Sequence, residues 1–308
     1  MPRVAPILLV LLMLSIGGVI AFHVFSPPGT RYARGDRIEP TPGLDNVIVF
    51  EKAVLSGSGP RSDESYDTLR RLGVRTILSV DAVRPNLEAI ESRGMISAHV
   101  PLTYDGIDGP QRLALAKAIR DLPKPIYIHC HHGKHRGPAA AAMALVCLGE
   151  IDAAQGTELL EIAGTSPSYV GLWDDVRTAQ EISGSTIDTL GPNELPAAVE
   201  VSGLPATMAE IQRVFDELRA IQSAGWRTPE DNPDLVLDHA AAALPDLFRM
   251  LVVDLDADAN AGYRELMEQA AARSAAIETA ADLEDWPTAE LSIERLAESC
   301  IACHESYR

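Results

Sequence analysis

The chain is expected to fold as an α/β domain with a central, mostly parallel sheet, then an all-α four-helix bundle, with one N-terminal transmembrane helix ahead of both. Three observations predict this. From about Asn46 to Ser183 short apolar runs alternate with amphipathic stretches, the pattern of strands joined by crossover helices. Beyond a Gly/Pro/Ser/Asn-rich boundary at Gly184–Pro196 strand signals vanish and alanine becomes abundant. At the start, Val4–Phe25 is interrupted only by Ser15, two glycines and His23, long enough to cross a bilayer.

Residues 4–25 read as a transmembrane anchor or a signal sequence. No small-x-small cleavage site follows cleanly, because Ala21 leads into Phe22, His23 and Val24, so a retained anchor is favoured. Arg3 precedes the span and Arg31, Arg34 and Arg37 follow it, leaving orientation open by charge. Residues 26–45 form a Pro-, Gly- and Arg-rich tether. In the domain at 46–183 the strands are expected at Val47–Phe50, Val74–Val80, Ile96–Leu102 and Ile126–Cys130. Its helices are expected at Ser62–Leu72, Pro85–Arg93, Pro110–Leu122, Pro138–Leu148 and Ala153–Ala163. A linker at 184–203 leads to the bundle at 204–308, with helices at Ala206–Ser223, Pro233–Asp254, Ala259–Leu283 and Thr288–Tyr307. Short connections make neighbouring helices antiparallel.

Composition narrows the function classes. The formal net charge of −18 argues against nucleic-acid binding, because phosphate backbones need a basic face. A local basic pocket for a small phosphorylated substrate remains compatible with it. Four cysteines in 308 residues are too few for a disulfide scaffold, so their placement reads as chemical. Cys147 is read as a small buried apolar residue.

Cys300-Ile301-Ala302-Cys303-His304 has the spacing of a c-type haem attachment. On a helix, positions i, i+3 and i+4 share a face, so two thiols can add to the haem vinyl groups while the imidazole reaches the iron. The same face continues through Ile293, Leu296, Ala297 and Tyr307. A redox Cys-x-x-Cys starts a helix after a strand, whereas this one ends a helix. A zinc site needs a further ligand, and His239 is the other histidine of the tail. The motif with its x-x-Tyr-Arg extension, closing a four-helix bundle, resembles the cytochrome c-prime and c556 class over about Leu204–Arg308. That resemblance implies haem c, His304 as proximal iron ligand, and Met208 as a possible second axial ligand. Attachment of such a haem in bacteria occurs outside the cytoplasmic membrane, so both domains are expected on the periplasmic side of a single-pass anchor.

The run Ile126-Tyr127-Ile128-His129-Cys130-His131-His132-Gly133-Lys134-His135-Arg136 reads as a strand, a tight loop and a helix start. Amide groups at a helix start make a nest for a tetrahedral oxyanion, and with nearby cations they favour a thiolate at Cys130. Arg136 can grip two phosphate oxygens, while His131, His132, Gly133, Lys134 and His135 complete the phosphate loop. The chemistry that fits is attack by Cys130 on phosphorus, giving a phosphocysteine that water hydrolyses. Four histidines at 129, 131, 132 and 135 also raise a metal-site reading.

His-Cys-x-x-Gly-x-x-Arg resembles the cysteine-based tyrosine and dual-specificity phosphatases. Its Gly-Lys-His-Arg form looks closest to the atypical branch of plants and fungi, some of whose members act on inositol pyrophosphates. Flanking matches run from Ala53–Gly57 and Leu72–Leu78 to Val100–Leu102, and the resemblance covers about residues 46–180. It implies a phosphatase-type α/β fold, a phosphorylated protein or small molecule as substrate, and an acid on the loop after Pro101. Asp105 is preferred for that role and Asp108 is the alternative; both also suit a Gly-rich turn. The family usually has Ser or Thr after the Arg, where this chain has Gly137, which puts phosphoenzyme breakdown in doubt. Two functions therefore stand: an anchored phosphatase fused to a cytochrome, or an electron-transfer or haem-sensing cytochrome whose α/β domain binds phosphate with weak turnover. Neither names the redox partner.

Overall fold

The computed structural model describes residues 32–307 except 52, 192–193, 200–203, 231 and 256–258. The expected span at 4–25 lies outside the described residues. Among those described, no helix is long and apolar enough to cross a membrane. The expected placement as a single-pass membrane protein is corrected accordingly. The longest helices carry charge along their length, as Arg264, Glu265, Glu268 and Arg273 show in one of them, whereas a span needs roughly 20 predominantly apolar residues.

Among the described residues five strands form one sheet: β1 (Ile48–Glu51), β2 (Val54–Ser58), β3 (Thr76–Ser79), β4 (Ile96–His99) and β5 (Ile126–Cys130). Their order is β1-β2-β5-β3-β4, with β1 antiparallel to β2 and every other pair parallel. β5 is central and wholly buried, and apart from His129 its sequence is apolar without the alternation of a half-exposed strand. β2 escapes the sequence pattern because Val54-Leu55-Ser56-Gly57-Ser58 is short and three of its five residues are Gly or Ser. Register pairs Ser58 with Cys130 and Ser79 with His129. The carboxyl ends of three strands therefore open on one crevice, the usual place for a ligand in an open α/β sheet.

Seven helices surround the sheet: α1 (Asp63–Arg71), α2 (Leu87–Glu91), α3 (Gly109–Asp121), α4 (Arg136–Cys147), α5 (Ala153–Ala163), α6 (Val170–Arg177) and α7 (Gly184–Ile187). α4 leaves the sheet directly after the β5 loop, packs on β2 and β5, and is buried along its whole length. The sequence reading includes no helix at α6 or α7, and α7 lies in the Gly/Pro/Ser/Asn-rich stretch from Gly184 read as a boundary. Ile187 of α7 joins the α/β core.

Four longer helices follow: α8 (Leu204–Ser223), α9 (Leu237–Asp254), α10 (Ala261–Asp282) and α11 (Trp286–Tyr307). α8 packs on α9, α9 on α10 and α10 on α11. Their shared core includes Leu218, Leu244, Phe248, Ile277, Ile293 and Leu296, with Trp226 stacked on Trp286. Fully burying each such aliphatic or aromatic side chain contributes roughly 1.5–3 kcal/mol.

The two parts touch. Ala242 of α9 is buried in the α/β core. The connecting chain is fastened to the β4 edge: His99 N–H donates to Pro196 O (2.9 Å), Ser97 Oγ to Ala197 O (2.8 Å), and Val199 N–H to His99 Nδ1 (3.0 Å).

Candidate active site

The loop from Cys130 to Arg136 joins β5 to α4, and its carbonyls are tied from outside. His131 O accepts from Gly59 N–H and from Arg61 Nη2, both at 3.1 Å. Gly133 O accepts from Asn46 Nδ2 (2.8 Å), and Lys134 O from Thr165 Oγ1 (2.6 Å). A peptide is planar and trans, so each carbonyl held outward turns the next residue's N–H the other way. The amides of His132, Lys134 and His135 thus face the loop interior, the arrangement of an anion nest. Gly133 makes the turn at φ +71°, and a Cβ there would lie 2.2 Å from Gly57 C; only glycine fits.

Cys130 is 3% exposed, at the floor of the loop. Arg136 is 1% exposed, with both Nη atoms hydrogen-bonded and its Nε buried without a partner. Nη1 donates to Leu102 O (3.3 Å), and Nη2 donates to Tyr104 Oη (2.9 Å), while the guanidinium lies 4.2 Å from the Tyr104 ring centroid. Its remaining partners are carboxylates: Asp246 Oδ2 of α9 at 2.6 Å, and Asp81 Oδ1, just past β3, at 3.6 Å. Arg249, one turn after Asp246, reaches both Asp81 (3.2 Å) and Asp246. Burial disfavours the charge on Asp81, but Arg249 and Arg136 outweigh it and hold the carboxyl well below the usual carboxylate range. Burial likewise opposes the charge on Arg136, and Asp246, Tyr104 and Asp81 more than offset it.

Asp81, Asp246 and Arg249 were not singled out in the sequence. For Asp246 a signal existed: between Ala240 and Met250 the helix is apolar except for Asp246 and Arg249, three apart. An acid and a base on the buried stripe of an amphipathic helix have a partner elsewhere.

Asp105 is exposed and lines, with Arg136, a cavity of about 560 Å³ between the two parts. Its loop is pinned by α6, where Asp175 Oδ2 accepts from Ile107 N–H (2.6 Å). Gly171 lies so close to Asp105 O that a Cβ would sit 1.7 Å away. Asp108 instead caps α3, accepting from Gln111 N–H at 2.8 Å in a reciprocal capping box; its carboxylate is already used.

The loop histidines diverge. His129 is buried against the sheet, and burial lowers its pKa to about 4. His131 meets His132 edge-on with centroids 4.4 Å apart. His132 pairs with Glu278 of α10 at 3.2 Å. Burial pushes the Glu278 carboxyl up. His135 packs on Tyr169, and burial, then His132 and Arg136, lower it to about 3. Among the described residues no group of three or more His, Cys, Asp or Glu is placed to hold a metal ion. Lys134 is exposed at the rim.

At the far end of the chain, α11 carries Cys300, Cys303 and His304 in its last turns. Cys303 is buried in the bundle core, Cys300 is half-buried and His304 exposed; all thiols are free. Beside them runs a groove of about 460 Å³ walled by Ile211, Phe215, Phe248, Ala297, Cys300 and His304. Of the motif, Cys300 and His304 line this groove and Cys303 does not. Met208 is half-buried against the bundle core and does not line this groove.

No family model matches the chain, and no curated protein matches it. Solved structures similar to about half of it include the following three. TpbA of P. aeruginosa is 20% identical, with TM-score 0.38 over 48% of this chain and 94% of that one. The core catalytic domain of the S. cerevisiae PP-IP phosphatase SIW14 is 18% identical, with TM-score 0.41 over 51% and 98%. A putative phosphatase from Shewanella putrefaciens is 19% identical, with TM-score 0.35 over 44% and 92%.

Proposed function

We propose that the chain is a cysteine-dependent phosphatase acting on phosphate monoesters, fused to a c-type cytochrome bundle. The observation that carries the reading is the Cys130–Arg136 loop, with carbonyls tied outward and a buried guanidinium at its end. Cys130 Sγ attacks phosphorus, the bond to the leaving oxygen breaks, and Asp105 gives that oxygen its proton. Water then attacks the phosphocysteine, Asp105 takes its proton, and the sulfur–phosphorus bond breaks to release phosphate. Through the loop, His131, His132, Gly133, Lys134 and His135 hold the phosphoryl oxygens by backbone amides, and Arg136 grips them by its fork. No hydroxyl follows Arg136. The buried, unpartnered Ser56 Oγ lies 3.2 Å from where a Cβ on Gly137 would be, beside the place such a hydroxyl would fill.

In the bundle, Cys300 and Cys303 would hold haem c by thioether bonds, with His304 on the iron. Bound haem supplies a one-electron carrier. Purified chain should hydrolyse p-nitrophenyl phosphate, and Cys130→Ser should abolish this; undiminished turnover in that variant refutes the phosphatase reading. A second reading, a cytochrome whose α/β part binds phosphate with little turnover, is favoured by Gly137 and by the Asp246 carboxylate at Arg136. Phosphate binding without hydrolysis would select it.

A further inference from the structure

We infer that α9 is an intramolecular inhibitor of the Cys130 site, its Asp246 carboxylate seated where Arg136 would grip a substrate phosphate. This rests on the reading of that site as a phosphate-binding loop. A carboxylate and a phosphoryl group offer the guanidinium fork the same thing, anionic oxygens. Asp246 Oδ2 lies 2.6 Å from Nη2, so the two anions compete for one donor. Asp246 is 5% exposed and held by Arg249 on its own helix, which aims it at the loop.

Further contacts hold the bundle against the rim of the same site. Glu278 of α10 sits on His132 at 3.2 Å. Asp238 Oδ2 accepts from Ser166 Oγ (3.1 Å), and His239 stacks on Tyr169 with centroids 5.0 Å apart. Tyr169 in turn stacks on Tyr104, the ring beneath the Arg136 guanidinium.

The charges are also divided so that the contact can open. The α/β part supplies Asp81 and Arg136, and the bundle supplies Asp246 and Arg249. Each part holds one acid and one base already in contact, Arg136 with Asp81 at 3.6 Å and Arg249 with Asp246. Lifting α9 exchanges partners and strands no buried charge, the outcome that otherwise makes breaking such a pair prohibitive. An anion at Arg136 would then shift the population toward the open form, and its apparent affinity is set by the open fraction.

The test uses the full chain with inorganic phosphate as probe, in a Cys130→Ser background so that no phosphoenzyme forms. Asp246→Asn keeps the volume and removes the charge. If that variant is folded by its melting transition, calorimetry should show phosphate bound about tenfold more tightly or better. Unchanged or weaker binding overturns the inference. If the variant does not fold, amide hydrogen exchange on the chain with Asp246 intact decides. Saturating phosphate should speed exchange across Leu237–Asp254, and unchanged or slower exchange there overturns the inference. Hydrolysis of p-nitrophenyl phosphate, with Cys130 restored, separates the two claims: tighter phosphate binding with no turnover in either chain refutes the phosphatase and leaves the inhibitor standing.

Discussion

Gly133→Ala tests whether the loop's conformation is dictated by its contact with β2. Two terms set the magnitude. At φ +71° an L side chain costs roughly 1–2 kcal/mol. The new Cβ would also lie 2.2 Å from Gly57 C, 2.3 Å from Ser58 N and 2.7 Å from Gly57 O. These are backbone atoms of a strand held on both sides by β1 and β5, so relief requires the loop to move by about an ångström. Overpacking of this kind costs typically 1–3 kcal/mol. Together a destabilisation of about 2–5 kcal/mol is expected. The moved loop also gives up the Asn46–Gly133 hydrogen bond that keeps one carbonyl turned outward. Urea unfolding at fixed pH measures the first effect and phosphate titration calorimetry the second. A loss below about 1 kcal/mol with phosphate affinity intact would refute the reasoning.

Asp105→Asn should lower kcat by about 10²-fold or more. Asp108→Ala should leave turnover unchanged and cost about 1 kcal/mol of stability; steady-state kinetics beside urea melts would expose the reverse assignment. His129 titrates at 6.5 in a model peptide and at about 4 when folded. Between those values the unfolded chain binds more protons, so stability is full above about pH 6.5 and falls as pH drops toward 4, by about 3 kcal/mol from this residue. His129→Phe should flatten that part of the stability–pH curve, and an unaltered slope would count against burial as the cause. For the bundle, Cys300→Ser with Cys303→Ser should release to acidified acetone a haem that the unsubstituted chain retains, as a pyridine haemochrome spectrum would show.

What the sequence made legible is what lies close along it. β5, the loop and α4 form one contiguous stretch, so Cys130, Gly133 and Arg136 could be assigned together, and the 3.6-residue period of α8 to α11 marked the bundle. β2 was not legible as a strand because five residues with Gly and two Ser carry no usable alternation. The acid loop's anchor was hidden for another reason: Asp175 and Gly171 act on residues more than sixty positions earlier, and nothing local in α6 announces that. Asp246 met Arg136 across 110 positions of sequence. Its oddity within an apolar helix face was visible, but the partner was not.

The strap along β4 decides how the two parts meet again after separating. Val199 is fastened to His99, and four residues lie between it and Leu204, a reach of at most about 18 Å. On so short a leash the bundle stays at an effective concentration on the order of millimolar or above. Recapture is therefore a first-order event whose rate does not depend on how much protein is present. Dilution will not relieve it, whereas one cut between Val199 and Leu204 turns it into an encounter between two molecules.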